Sequence, residues 1–314
     1  MDKLQTGSSH APAPASRTPL PRPFAPPAWA GLAALTTVTA IWGYSFLLVK
    51  DAVAVYPVFP FLAVRFTLAA LLVTPFLFRR VLRADRATLL GGAAMGLALF
   101  TGYAFQTLGL LWTSAAHSGF ITGLFVVLTP LFAAFLTRKL PKADVVAAVC
   151  LATAGLAALS LQGAWSGAGI GDLLSLCCAG VYAVHLLLTS AMARRYDTGA
   201  LVLTQIATVA ALAWVFSLPR LGEVWPIPRD AAVGIVVTAL FATALAYWVQ
   251  TAFQARVSAV QTAIIFTTEP VFAGLFAVAL GGERLGFRGL LGGLLIVAGM
   301  LVGQLAEARS AKAP

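Results

Sequence analysis

The chain has 314 residues, of which 60% are hydrophobic and only 10% charged, against about 25% charged and 45–50% apolar in a soluble globular chain. So few charges cannot cover a water-soluble fold of this length, which excludes a soluble protein and indicates an integral membrane protein. The net charge of +10 is spread over short segments between apolar runs, which speaks against a nucleic-acid partner and reads as topogenic charge.

Residues 1–28 carry seven prolines among Ala, Ser and Arg. With little apolar surface to bury, they are expected to form a disordered cytoplasmic tail. The first apolar run begins at Trp29 and is long enough to span, so the opening segment does not read as a signal peptide. A helical span needs about 20 apolar residues. Division at charges, Pro and Gly predicts ten: 29–49, 58–78, 88–111, 117–137, 143–162, 171–191, 200–218, 231–253, 257–280 and 287–306. The first ends beside Lys50. The second carries Arg65 as its eighth residue, roughly 10 Å below its outer end at 1.5 Å per residue. Tyr103 and Gln106 fall in the third span, Pro130 in the fourth, Tyr247 and Gln250 in the eighth, and Glu269 and Pro270 near the middle of the ninth. Residues 307–314 form a second tail. Cys150, Cys177 and Cys178 all lie in spans without CxxC spacing, and read as small buried apolar residues.

Orientation follows from the cations. With the N-terminus cytoplasmic, 15 Lys and Arg fall on the inner side, 5 on the outer side, and Arg65 within a span. Both termini are therefore expected in the cytoplasm. Trp112, Trp165 and Trp225 fall in outer loops, where an aromatic belt is expected. The Arg-rich, Lys-poor composition hints at a bacterial plasma membrane.

The chain also repeats itself. At a shift of 140, Trp42 meets Tyr182, Arg65 meets Gln205, and Thr129-Pro130 meets Glu269-Pro270. At a shift of 144, the YxxQT run from Tyr103 to Thr107 meets that from Tyr247 to Thr251, and Gly155 meets Gly299. The difference of four is one helical turn. Each copy is five spans, about 29–165 and 170–306, and an odd number forces the second copy to insert upside down. The expected fold is thus an all-α membrane protein of ten helices in two inverted five-helix repeats, an arrangement of secondary transporters.

These residues resemble a known family. Trp42-Gly43-Tyr44-Ser45-Phe46 with Lys50, Leu62-Ala63-Val64-Arg65, Gly171-Asp172, Glu269-Pro270-Val271, and Gly282-Glu283 before Gly299 look like the EamA-type members of the drug/metabolite transporter superfamily. The resemblance covers about 29–306. In the first copy Thr129 departs from it by standing in the place of Glu269. It implies a transporter of small metabolites such as amino acids.

Few polar residues inside the spans can carry that function. An ionisable group there costs at least about 2.5–3.5 kcal/mol and faces the bundle interior or a cavity. Arg65 reads either as the counter-ion of a substrate carboxylate or as a structural tie between spans. Glu269 reads either as a proton carrier or as a partner of Arg65 or of a helix end. Pro130 and Pro270 free the carbonyls of Val126 and Phe266 and are hinge candidates. Gln106, Gln250, Tyr103 and Tyr247 line a cavity or bond between helices. Trp42, Tyr44 and Tyr182 suit an apolar or aromatic cargo, or pack. Lys50 binds cargo or snorkels.

Among enzymes, Gly169-Ile170-Gly171-Asp172 and Tyr196-Asp197 mimic the GxGD and YD of aspartyl intramembrane proteases. A membrane-spanning helix between them keeps the two carboxylates from sharing a proton. No zincin, serine-hydrolase or P-loop motif appears, and no cofactor is expected. The expected activity is alternating-access transport of amino-acid-like or drug-like molecules, as an exporter driven by protons or by the substrate's own gradient. The bilayer and a small-molecule substrate are the partners, and a homodimer is admitted. An intramembrane enzyme and a non-transporting receptor or scaffold are the alternatives.

Overall fold

The computed structural model describes residues 28–112, 118, 121–160, 169–269, 271–272, 275–276, 279 and 286–312. All regular structure among them is helical: α1 (Ala28–Val55), α2 (Val58–Leu82), α3 (Arg86–Gly109), α4 (Phe125–Thr137), α5 (Ala143–Ser160), α6 (Ile170–Ala193) and α7 (Thr198–Ser217). A 3-10 turn (Leu218–Glu223) leads to α8 (Arg229–Val237), a π-helical segment (Thr238–Leu245), α9 (Ala246–Gln254), α10 (Ala259–Phe266) and α11 (Phe287–Lys312). The N-termini carry ordinary signals. Asp85 and Asp197 accept the amides of Thr88 and Ala200, and Ser258 with Gln261 forms a capping box, which satisfies amides the helix itself leaves open.

Among the described residues, six helices are long and apolar enough to cross a membrane: Trp29–Val55, Val58–Leu82, Arg86–Gly109, Ile170–Ala193, Thr198–Glu223 and the continuous run Arg229–Gln254. Three shorter apolar helices join them, at Ile121–Thr137, Ala143–Gly155 and Phe287–Gly303. These nine coincide with predicted spans. The ninth predicted span is interrupted: α10 ends at Phe266, Thr267 and Thr268 form a turn, and helix resumes at Glu269. The fourth is also interrupted, at Leu124. Two ends differ from expectation. Helix α1 continues past Lys50 to Val55, and α11 stays helical to Lys312, through most of the segment read as a tail. Cys150 and Cys177 are exposed on their helices and only Cys178 is buried, so the expectation of three buried cysteines holds for one. Residues 1–27 lie outside the described residues.

Large apolar side chains such as Phe76, Phe135 and Leu294 point outward, as they do where hydrocarbon replaces water as the solvent. Inside, α2 lies along α7, α5 along α11, α3 against α6 and α7, and α1 against the α8–α9 run. The α5–α11 contact is close because Gly155 faces the Gly292 carbonyl and Ile296, while Gly299 faces the Ala148 carbonyl and the Ala152 amide. A Cβ at either glycine would come within 3 Å of the other helix; this is the small-residue contact that lets membrane helices approach. The packing forms two main cores. One gathers Phe61, Phe66, Leu99, Ile206 and Ile235; the other gathers Leu35, Val126, Ala152, Ile264 and Ile296. Trp42 and Tyr182, matched in the repeat, pack against both. The polar centre of the molecule lies where these two side chains stand.

Candidate functional site between the two cores

Arg65 is 2% exposed, deep in α2. Its Nε donates to Thr243 Oγ1 at 2.9 Å and its Nη2 to the Tyr103 hydroxyl at 3.4 Å. The guanidinium also lies 5.1 Å from the ring centre of Tyr103 and 5.5 Å from that of Phe66, where ring quadrupoles favour a cation. Tyr103 and Tyr247 share a 2.9 Å hydrogen bond between their hydroxyls. These two tyrosines open the matched YxxQT runs. A residue and its counterpart in a two-fold arrangement meet only near the axis, so this bond marks where one would run.

Around that pair, Trp42 stacks obliquely on Tyr247 at 5.7 Å and edge-on to Phe266 at 5.0 Å. Its indole N–H donates to the Ala242 carbonyl at 2.9 Å. That carbonyl is open to it because, in the π-helical segment, the Ala246 amide bonds to Phe241 O in place of Ala242 O. Thr243, in the same segment, donates to Thr238 O and so turns an oxygen lone pair towards Arg65. Tyr182 stands edge-on to Tyr103 at 6.2 Å, and its hydroxyl donates to Gln106 Oε1 at 3.2 Å.

The second copy has a neutral counterpart to the Arg65 centre. Gln205, matched to Arg65, bonds His185 Nε2 at 3.2 Å through Oε1 and Thr251 Oγ1 at 3.1 Å through Nε2. With the Gln205 oxygen as acceptor, His185 carries its proton on Nε2. His185 stands edge-on to Tyr247 at 6.2 Å, which joins the two centres through the tyrosine pair. Among the described residues, no group of His, Cys, Asp and Glu could hold a metal ion.

The structure thus brings Arg65, Tyr103, Tyr247, Trp42 and Gln106 together. Glu269 is partly buried at the restart of helix after the Thr267–Thr268 turn. Thr268, beside it, shares a 2.9 Å hydroxyl bond with Thr39 of α1. Arg65 and Glu269 form no ion pair with each other; the ion pairs among the described residues, Arg80–Asp197 and Arg220–Glu223, are at the surface. Gln250 points away from its matched partner. Its amide donates to Gln254 Oε1, and Gln254 bonds the Leu186 carbonyl and Ser190. Tyr44 is exposed, with its ring against Phe276, and Lys50 is exposed near the end of α1. Pro130 is buried in α4, and Thr129 before it bonds its hydroxyl to the Phe125 carbonyl. Pro270 lies outside the described residues.

Sequence reading missed Thr243, the Ala242 carbonyl and the Gln205–His185–Thr251 chain. Only the last had a visible signal, the match of Gln205 to Arg65.

The EamA-like transporter family matches this chain twice, over residues 29–161 and 169–302. An uncharacterized transporter of Archaeoglobus fulgidus is 32% identical over 268 residues, which is 85% of this chain and 83% of that protein. A solved crystal structure with 22% sequence identity shares the fold, with a TM-score of 0.76 over 91% of this chain and 99% of its own.

Proposed function

The chain belongs to the EamA-like transporter family and carries its domain twice, and from this premise we propose that it is a secondary transporter exporting small organic molecules by alternating access. The two copies act as inverted five-helix repeats, and the cargo site lies at the Tyr103–Tyr247 pair with Arg65 as the receptor for an anionic group.

The observation that carries this reading is the hydroxyl bond between matched tyrosines, with a buried guanidinium attached to one of them. Arg65 is held by hydroxyls and ring faces, and no carboxylate among the described residues forms an ion pair with it. A cargo carboxylate that displaces the long 3.4 Å bond to Tyr103 would meet the planar fork of Nη1 and Nη2, while Nε stays on Thr243. The aromatic rings of Trp42, Tyr103, Tyr182 and Tyr247 supply the apolar walls. Two further features support the inverted repeat. Exchanging the copies maps the α2–α7 and α5–α11 contacts onto themselves, and the α3–α6 contact onto that of α1 with the α8–α9 run. The fourth span is interrupted at Leu124 and the ninth at Thr267–Thr268, and interrupted helices in both halves of a transporter point to its binding site.

The test is counterflow in proteoliposomes over a panel of amino-acid-like and drug-like carboxylates, with uncharged amides of the same compounds beside them. Carboxylates are expected to exchange and their amides not. Arg65→Lys is expected to weaken exchange at least tenfold while the protein still inserts, because an ammonium cannot reproduce the fork. Equal exchange of acids and amides would remove Arg65 from the cargo site; no exchange of any compound would count against transport itself.

A further inference from the structure

We propose that the trough between α3 and α7 binds an anionic phospholipid, with an acyl chain along the trough and the phosphate on Arg86. This site is separate from the cargo site and does not rest on the transport reading.

The trough has a volume of about 520 Å³ and is open to the outside, with Leu90, Ala207 and Ala211 exposed. On α3 it is lined by Arg86, Leu89, Leu90 and Ala93, at spacings i, i+3, i+4 and i+7, so one helical face forms that wall. The opposite wall is the α7 stripe from Leu203 to Ala211, in which Ala207 and Ala211 leave the space that larger side chains would fill. The floor is tight because the helices touch there: a Cβ on Gly96 would lie 2.6 Å from Thr208 and 2.7 Å from the Gln205 carbonyl.

The direction of the trough matches a lipid. Helix α3 starts at Arg86, and α7 starts beside Asp197, which bonds Arg80 at the end of α2. Both helices therefore run away from the same end, and the trough descends from Arg86 along α3 by roughly 10 Å, at 1.5 Å per residue. Its cation sits at the mouth and its alanines lie deeper. Arg79, Arg80, Arg83, Arg194 and Arg195 crowd that end as well. Its acids have other work: Asp85 accepts the amide and hydroxyl of Thr88, and Asp197 takes Arg80 and the Ala200 amide. The local field is cationic, and basic sites between membrane helices at the surface favour anionic headgroups.

The experiment uses the full chain in nanodiscs of phosphatidylcholine, alone or mixed with phosphatidylglycerol of the same acyl chains. Thermal unfolding is read together with mass spectrometry of the lipids that survive detergent extraction. Phosphatidylglycerol is expected to raise the Tm by several degrees, since a ligand of the folded state stabilises it, and to be retained over phosphatidylcholine. Arg86→Gln should erase that preference. Ala207→Phe, which fills the trough, should lose the retained lipid whatever its headgroup, and Ala211→Leu should do so in part. Arg195→Gln, at the same end but off the trough, should behave as wild type. Equal response to the two lipids, an Arg195→Gln effect as large as that of Arg86→Gln, or full retention in both filled variants would overturn the site.

Discussion

Arg65 is a charge placed where charges cost free energy, and the residues around it show how it is tolerated. Its Nε rests on Thr243 and its face on Tyr103 and Phe66. Removing the Thr243 hydroxyl leaves a buried donor unmatched, which costs about 1–3 kcal/mol, more where the group is charged. Thr243→Val is therefore expected to lower the Tm and reduce cargo affinity, and Thr243→Ser to restore both; an unchanged Tm in the valine variant would show that Arg65 finds another acceptor. Because Arg65 and Glu269 are not paired, a second prediction follows from linkage between charges. Truncating both members of a buried ion pair often rescues the loss from truncating one. Here the double replacement Arg65→Leu with Glu269→Leu should be no more stable than the weaker single variant. Recovery of stability and transport in the double variant would mean that the two charges neutralise each other.

At the scale of elements, the π-helical segment at Thr238–Leu245 does the work that a regular helix could not. A regular turn would bond the Ala246 amide to Ala242 O and close that carbonyl. The wider turn leaves it to the Trp42 indole and presents Thr243 to Arg65, so one distortion fixes α1 and α2 on the same helix. π turns are uncommon and concentrate at functional sites. Trp42→Phe keeps a ring against Tyr247 and Phe266 but removes the donor, and should destabilise by about 0.5–1.5 kcal/mol, the net worth of one hydrogen bond. Tyr44→Phe, on an exposed side chain two residues later, should leave the Tm unchanged; equal losses in the two would refute a special role for the Ala242 carbonyl. The interrupted fourth and ninth spans carry the prolines. If they loosen matched helices, Pro130→Ala and Pro270→Ala should each slow counterflow while the protein still inserts and keeps its Tm. Wild-type rates in both single variants and in the double one would reduce the prolines to packing.

For the whole molecule, the proposed orientation rests on cation counts and makes opposite demands on two loops. A single cysteine in the 219–230 loop of a Cys-free chain should react with an impermeant thiol reagent from outside intact cells. One in the 79–87 loop should react only after the membrane is opened, and the reverse pattern would invert the topology. Much of the architecture was legible in the chain because the bilayer enforces it. A segment crossing hydrocarbon must satisfy its backbone internally, so apolar runs of span length become helices and charges mark their ends. Duplication was legible for a similar reason: Tyr103 and Tyr247, or Gly155 and Gly299, occupy equivalent places and left the same letters at a constant offset. Composition, span lengths and the matched letters thus determined a helical membrane protein, its helix order and its doubled plan, and marked Tyr103 and Tyr247 as equivalent residues; that their hydroxyls meet came from the tertiary structure. Those signals could not determine who meets whom sideways. An apolar run gives no signal of a π turn, so the partners of Trp42 and Arg65 were hidden, and Thr243 looked like any hydroxyl in a helix. Depth along a helix follows from counting residues, which put Arg65 and Glu269 at similar levels. The lateral distance that keeps them from forming an ion pair depends on how the helices pack, and only the tertiary structure decided it.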